Sequence, residues 1–346
     1  MNTVLAQVDV LGYGESIGKN GVLEVEHRTE RVAMSLYVVI GAGPVGAATA
    51  GLLAERGERV RVITRRGIGP DHPLIERVAA DATDAAALTG HCAGAHVVFQ
   101  CAQPPYHRWA TDFPPLAAAS LRAAEAAGAV LVSVGNLYGY GQVDGPIGEQ
   151  CPLRPNSVKG RVRAELWAEA LAAHQAGRVR TAEVRGSDYL GAGAKSAFTM
   201  VALPAALSGR RVLFPGDPDA AHSWTDVTDT ARTLIAVADD ETAWGRAWHT
   251  PTAPPMSVRE LAGLAATVAD APPVRVGRMP AAVLWLAGLA DPNARELREL
   301  RYQFDRPFVL DSSAATAAFG IEPTPTAQSL RATITALRAE EVTSVG

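Results

Sequence analysis

Leu36-Tyr37-Val38-Val39-Ile40-Gly41-Ala42-Gly43-Pro44-Val45-Gly46 is the stretch whose reading decides the fold. Leu36 to Ile40 is a continuous apolar run, as a strand buried on both faces of a parallel sheet requires. The G-x-G-x-x-G that follows opens a segment, Pro44 to Arg56, with Val45, Ala48, Leu52 and Leu53 at helical spacing and Gly57 as its stop. In that context each glycine has a physical reason. Gly41 permits the tight turn, Gly43 lets the backbone approach a pyrophosphate, and Gly46 lets helix and strand pack closely. Pro44 and Val45 complete the loop, and the helix start offers free N–H groups and partial positive charge to phosphates.

Working outward, Val60–Ile63, Val97–Cys101, Val130–Val134 and Thr181–Arg185 read as further strands. Alanine-rich helices fill the intervals, notably Leu116–Ala127 and Arg161–Ala173. Strands alternating with helices at this spacing predict an α/β fold: a Rossmann-type, doubly wound parallel sheet with right-handed crossovers. After Arg185 the pattern loosens. Pro204, Pro215, Pro218, Pro251, Pro254 and Pro255 punctuate short elements, and Trp224, Trp244, Trp248 and Trp285 appear. That is the pattern of a smaller mixed C-terminal substrate-binding lobe. The expected organisation is a nucleotide-binding domain over 34–190 and the lobe over 191–346, with short segments at about 222–250 returning to the sheet. Residues 1–33 show no clear period and carry Gly12, Gly14, Gly18 and Gly21, so they read as a poorly ordered extension, a short packed hairpin being the alternative.

Composition narrows the function classes. Hydrophobic residues make up 48 % of the 346 and charged residues 20 %, the balance of an ordinary globular chain. A net charge of −4 gives no global pull toward nucleic acid or anionic membrane. The longest apolar run, Ala281 to Ala290, is short of the roughly 20 residues that span a bilayer. The N-terminus lacks the layout of a signal peptide, and Cys92, Cys101 and Cys151 form neither a metal pattern nor a disulfide framework, so a cytoplasmic protein is expected. No H-E-x-x-H, no His/Cys/Asp cluster and no nucleophile elbow supports a metal site or a serine hydrolase.

The nucleotide can be read further. The second strand ends in Thr64-Arg65-Arg66, where an NAD site places an acidic residue for the ribose 2′-hydroxyl. A hydroxyl and two guanidinium groups suit a 2′-phosphate instead, so the expected cofactor is NADP(H). Asp81, in Asp81-Ala-Thr-Asp84, is a candidate acceptor for the adenine amino group or, alternatively, a helix N-cap. Cys101, Ala102 and Gln103 follow the fourth strand, where the nicotinamide end lies in such folds, and Tyr106 comes next.

These features, with Asn136-Leu-Tyr138-Gly139 and Val227-Thr-Asp229-Thr-Ala231, resemble the NAD-dependent epimerase/dehydratase family, the extended short-chain dehydrogenases/reductases, over about residues 35–340. Ile40 stands at the family's first loop glycine, as in its atypical branches. The resemblance implies a Ser or Thr, a Tyr and a Lys four residues later as the catalytic set. Anchored on Tyr138-Gly139 and Pro155, those positions fall at Val134 (beside Ser133), Lys159 and Arg163. The resemblance also implies a homodimer as the default assembly.

A four-residue step puts Lys159 and Arg163 on one helix face. Arg163 can still donate to ribose hydroxyls. Lys159 can carry a proton if burial and Arg163 depress its pKa toward about 7–8, or it can clamp an anionic substrate. Tyr138 is the replacement acid, and Asn136 can polarise a carbonyl. Substrate-facing candidates are Tyr106, Asp188, His222 and Trp224; His249 reads as a buried strand-end histidine. Three functions remain open: an NADP(H)-dependent oxidoreductase or epimerase acting on a small polar metabolite, a non-redox isomerase, cyclase or lyase on the same fold, and a nucleotide-sensing regulator.

Overall fold

The computed structural model describes residues 35–280, 282–283, 285, 289 and 298–345; the expectation for residues 1–33 lies outside them. The main elements among the described residues are strands and α-helices. The strands are β1 Leu36–Ile40, β2 Arg59–Thr64, β3 Ile75–Ala79, β4 Ala95–Gln100, β5 Val130–Asn136, β6 Arg180–Gly186, β7 Asp188–Leu190, β8 Val212–Phe214, β9 Trp224–Asp226, β10 Ala247–His249 and β11 Val276–Arg278. The helices are α1 Pro44–Glu55, α2 Ala85–Cys92, α3 Trp109–Ala127, α4 Val158–Gln175, α5 Leu203–Leu207, α6 Val227–Asp239, α7 Val258–Val268, α8 Ser313–Phe319 and α9 Thr326–Val345.

Seven strands form one parallel sheet in the order β10-β6-β5-β4-β1-β2-β3. The order reverses between β1 and β4, so their carboxyl ends open the crevice in which such sheets bind ligands. Val38, Val39 and Ile40 are fully buried. One face of the sheet packs on α1 and α6, with Val39, Leu53, Val132 and Leu234 in its core. The other packs on α2, α3 and α4, with Val38, Ile40, Leu88, Trp109 and Phe113. On α1, Ala48 and Leu52 are only half-buried, while Thr49, Ala50, Leu53 and Ala54 are buried. The buried stripe is rotated from the expected one because α1 packs on α6 as well as on the sheet.

Two helices start earlier than their periodicity predicts. Ser157 Oγ accepts from Gly160 N at 2.9 Å and begins α4 at Val158. Helix α3 begins at Trp109, ahead of Pro114 and Pro115, which remove two backbone donors. Tertiary packing offsets that loss. Trp109 is 1 % exposed, gives its indole N–H to Pro104 O at 3.0 Å, and packs between Tyr106 and Phe113.

The C-terminal lobe has its own core, in which Phe198, Leu203, Phe214, Trp224, Leu261 and Leu330 meet. Helix α6 packs on β5 and β6, and β10 extends the main sheet. Asp226 caps α6 by accepting from Thr228 N at 2.7 Å. Asp229, one turn on, accepts from Thr324 N and Thr324 Oγ1 at 2.6 and 2.8 Å, pinning the approach to α9 against the sheet domain. No helix among the described residues is long and apolar enough to cross a membrane.

Candidate functional site

The glycine loop has the geometry its sequence predicts. Gly41 sits at φ +95°, and a Cβ there would stand 2.7 Å from Ala102 N and Cα. A Cβ on Gly46 would collide with Gly41 O. A Cβ on Gly43 would meet nothing within 4 Å, which leaves an open approach at the N-cap of α1, where no side chain caps the helix. Pro44 and Val45 form its first turn, and Pro44 Cγ lies 3.7 Å from the Cβ position of Gly193. The chain after β7 therefore runs beside the loop.

Around the loop the predicted residues divide by what they bond to. Arg65 and Arg66 are exposed at the end of β2. Thr64 Oγ1 instead closes a local turn, accepting from Ile68 N at 2.8 Å and donating to Ile68 O. Asp81 accepts from Thr83 N and Oγ1 at 2.9 and 2.8 Å, bonds that hold its carboxyl below the usual range, with Arg65 adding a smaller pull. Asp84, not Asp81, caps α2. Cys101 packs against Gly46, and burial pushes its thiol up to about 12, so it contributes shape and no thiolate.

The positions that the family resemblance assigns to catalysis do converge, with different chemistry. Arg163 Nη1 donates to Val134 O at 2.8 Å, and Nη2 to Gln103 Oε1 at 3.3 Å. Its guanidinium lies 4.8 Å from the centre of Trp109 and 4.5 Å from Phe113. Arg163 thus ties the ends of β4 and β5 together, and its Nε is buried without a partner among the described residues. The expected free ribose donor is therefore a strut in this conformation. Lys159 is 2 % exposed, and its Nζ pairs with Glu299 Oε2 at 2.8 Å, while its backbone N–H donates to Glu299 Oε1 at 3.1 Å. The idea of a lone ammonium crowded by Arg163 gives way to a paired ion. Glu299 was not legible as a site residue, since 140 positions separate it from Lys159 and no motif marks it.

Above this face two phenols meet. Tyr106 OH and Tyr138 OH are 3.0 Å apart, and Lys159 Nζ lies 5.8 Å from the centre of the Tyr106 ring. A Cβ on Gly160 would stand 2.5 Å from Tyr138 O, so the missing side chain is what lets α4 approach this turn. Burial drives the Tyr138 phenol well above its ordinary range, with Tyr106 and Asp188 adding to it. Burial also raises Tyr106. At neutral pH both are hydroxyl donors and not phenolate bases. Asn136 spends its side-chain oxygen on Tyr138 N at 3.1 Å, which leaves its amide N–H groups to donate.

Asp188 and His222 form a pair, Oδ2 to Nε2, at 2.9 Å. Trp224, by contrast, is committed to the lobe core: it is 4 % exposed and its indole N–H is used on Met256 O at 2.8 Å. The expectation that it faces substrate fails because β9 directs it into the cluster with Phe198 and Phe304.

A second buried network closes the β6–β10 end. Arg185 bonds Glu183 Oε1 at 3.2 Å and Tyr140 OH at 2.6 Å; Tyr140 OH meets His249 Nε2 at 2.8 Å; His249 Nδ1 reaches Asp311 O at 2.9 Å. A carbonyl only accepts, so Nδ1 carries the proton and Tyr140 donates to Nε2. Burial lowers the His249 pKa from its ordinary 6.5 despite Glu149 nearby, and burial pushes Tyr140 up to about 12. The folded histidine resists protonation that the unfolded one accepts, so the unfolded chain binds more protons below about pH 6.5. Stability from this group is present above that pH and is lost as pH falls toward the folded pKa. Calorimetry between pH 7 and pH 5.5 should show Tm falling, with a shallower fall in His249→Asn; an unchanged slope would remove His249 from the account.

The comparisons with known proteins can now be set beside this geometry. Direct comparison with curated proteins finds no match. Among solved structures, MoeE5 in complex with UDP-glucuronic acid and NAD superposes with a TM-score of 0.72 at 22 % identity, covering 88 % of this chain and 99 % of that one. A UDP-glucose 4-epimerase gives 0.71 at 16 %, covering 89 % and 98 %. The dTDP-glucose 4,6-dehydratase of Bacillus anthracis, in complex with NAD, gives 0.71 at 17 %, covering 89 % and 97 %. At these identities the likeness establishes the fold. The sequence model of the NAD dependent epimerase/dehydratase family matches residues 37–248, from β1 through β10 and well over half of the chain, and the chain therefore belongs to that family.

Proposed function

We propose that this chain binds a nicotinamide nucleotide, NADP(H) in preference to NAD(H), and works as an oxidoreductase or epimerase on a small polar metabolite with acid/base groups other than the family's usual three. The observation that carries the reading is the glycine loop, closed at Gly41 and Gly46 and open at Gly43, at the uncapped N-terminus of α1. Those residues fit a pyrophosphate. When bound, the nucleotide supplies a hydride acceptor or donor.

The preference for the 2′-phosphate rests on Arg65 and Arg66, exposed at the end of β2 where an acidic residue would select the free ribose. Four of the structurally similar proteins are described with NAD, so the proposed preference would set the present chain apart from them. Gln103 and Ala102 would flank the nicotinamide end. Tyr138 and Tyr106 are neutral and hydrogen-bonded to each other, so one hydroxyl is spent within the pair and the other would donate to an oxygen that gains charge during reaction. Lys159 would hold Tyr106 from one side. The proposed setting is the cytoplasm, and a homodimer is the proposed assembly.

A non-redox reaction on the same fold is the second reading, and one observation favours it. Val134 has no hydroxyl, and Arg163 occupies the place of the family lysine with bonds to Val134 O and Gln103. Nucleotide titration followed by fluorescence separates the two. NADPH should bind at least about tenfold more tightly than NADH, about 1.4 kcal/mol, and Arg65→Ala should abolish that difference. Absence of binding by either nucleotide would sink the oxidoreductase reading.

A further inference from the structure

The three family positions leave the site without an evident proton acceptor. Val134 has no proton to exchange, the Lys159 ammonium is engaged by Glu299, and Arg163 is a fixed guanidinium. The two phenols are held neutral by burial. One carboxylate remains that faces them. Asp188 opens β7, just beyond the carboxyl end of β6, and is close enough to Tyr106, Tyr138 and Tyr302 for its charge to raise all three phenols.

Its surroundings hold it in one orientation. Oδ2 is bound to His222 Nε2 at 2.9 Å. His222 is 1 % exposed, stacked 4.6 Å from Phe304 at 17° and flanked by Trp224 and Phe308, with Nδ1 3.3 Å from Gln303 O. Backbone bonds to Met256, N to O at 3.3 Å and O from N at 2.9 Å, fix the residue from behind. The histidine therefore cannot reach a substrate; it can only position Asp188. The Asp188 side chain is 12 % exposed, and Oδ1 has no hydrogen-bond partner among the described residues. Beside it the Tyr302 hydroxyl, the Ser187 hydroxyl and Gln303 Oε1 are buried and unpartnered among the described residues. Buried polar atoms are ordinarily hydrogen-bonded, so these mark where a polar ligand would bond.

Resting on the function proposed above, we propose that Asp188 is the catalytic base, taking the proton of a substrate secondary alcohol at Oδ1, and that His222 is the positioning residue that orients it. In the oxidative direction the alcohol O–H proton passes to Asp188 Oδ1, and the O–H bonding pair closes the C=O bond. The hydrogen on the same carbon leaves with its electron pair to an oxidised nicotinamide nucleotide. The carbonyl oxygen keeps one hydrogen bond, from whichever phenol of the Tyr106–Tyr138 pair does not spend its proton on the other. In reverse, the neutral Asp188 carboxyl returns the proton.

The assignment can be tested with no substrate in hand, using glycidol as a small hydroxyl-bearing epoxide. A carboxylate oxygen attacks the epoxide carbon, the C–O bond opens, and a phenol or water protonates the leaving oxygen, giving an ester that peptide mass spectrometry locates. Asp144 and Asp71, with side chains 99 % and 92 % exposed, are internal references. Asp188 should be esterified at least about tenfold faster than either, since the free hydroxyl of the Tyr106–Tyr138 pair can donate to the epoxide oxygen. A purely structural Asp188, mostly covered, would react more slowly than both, and that result overturns the proposal. His222→Gln, which keeps a donor toward Oδ2, should preserve the preference, and His222→Leu should remove it. Equal labelling in all three proteins would overturn the positioning role. NADPH titration on the same samples reads the proposed function separately: lost nucleotide binding with Asp188 still labelled first would overturn redox turnover and leave the reactive carboxylate assigned.

Discussion

Gly46→Ala is expected to lower NADPH affinity at least about 100-fold, equivalent to about 2.7 kcal/mol, and to destabilise the fold by about 3 kcal/mol. The reason is contact and not conformation. The added methyl would collide with Gly41 O and press on Cys101 Cβ at 3.1 Å, so either α1 slides from β1 or the Gly41 turn opens. Both displace the N–H groups at Gly43 that the phosphates would use. Gly51→Ala is the control, for it lies on the same helix with nothing within 4 Å of its Cβ position. There the substitution should stabilise by about 0.5–1 kcal/mol through the unfolded chain and leave affinity unchanged. Thermal melts and nucleotide titrations of the two variants check this, and equal behaviour would remove close packing as the loop's design principle.

Arg185→Ala is expected to cost about 3–5 kcal/mol, the range for stripping one partner from a buried ion pair. Arg185 is 4 % exposed and Glu183 5 %, and both lie on β6. The Glu183 carboxylate fills the space left by Gly135, where any Cβ would collide with it. Removing the guanidinium leaves that carboxylate charged and unpaired, and takes from Tyr140 the donor that sets the direction of the chain to His249. The double variant Glu183→Met/Arg185→Met should be less destabilised than the single one, because no uncompensated charge stays behind. Urea unfolding measures both. A double variant as unstable as Arg185→Ala would mean that packing, and not the stranded charge, carries the cost.

These variants also separate what local sequence reveals from what it hides. Near the loop, meaning is local: Ile40, Gly41, Gly43 and Gly46 lie within seven consecutive positions, and the contacts that constrain Gly46 involve Gly41 itself. The same holds for the carboxyl-end segments that reach the crevice, such as Tyr138 and Gln103. Trp224 was misread because an aromatic in a loosely patterned segment gives no sign of which way a three-residue strand will turn it. The alternative reading of Asp81 as a helix cap failed for a different reason. Two aspartates three apart offer the same capping chemistry, and only the path of the backbone gives the cap to Asp84.

The sequence by itself determined the parallel sheet, the glycine loop at its switch point and the arginines after β2, and it sets Val134, Lys159 and Arg163 where the family resemblance implies a hydroxyl, a tyrosine and a lysine. Each is a matter of residue type at short spacing, where chain geometry leaves few choices. Only the tertiary structure decided that Lys159 is neutralised by Glu299, that Tyr106 meets Tyr138, and that Asp188 is held by a buried His222. Those pairs join residues 140, 32 and 34 positions apart. Partners at such separations are chosen by how the fold brings distant segments of the chain together, and the charge a buried group can bear depends on the partner it finds there.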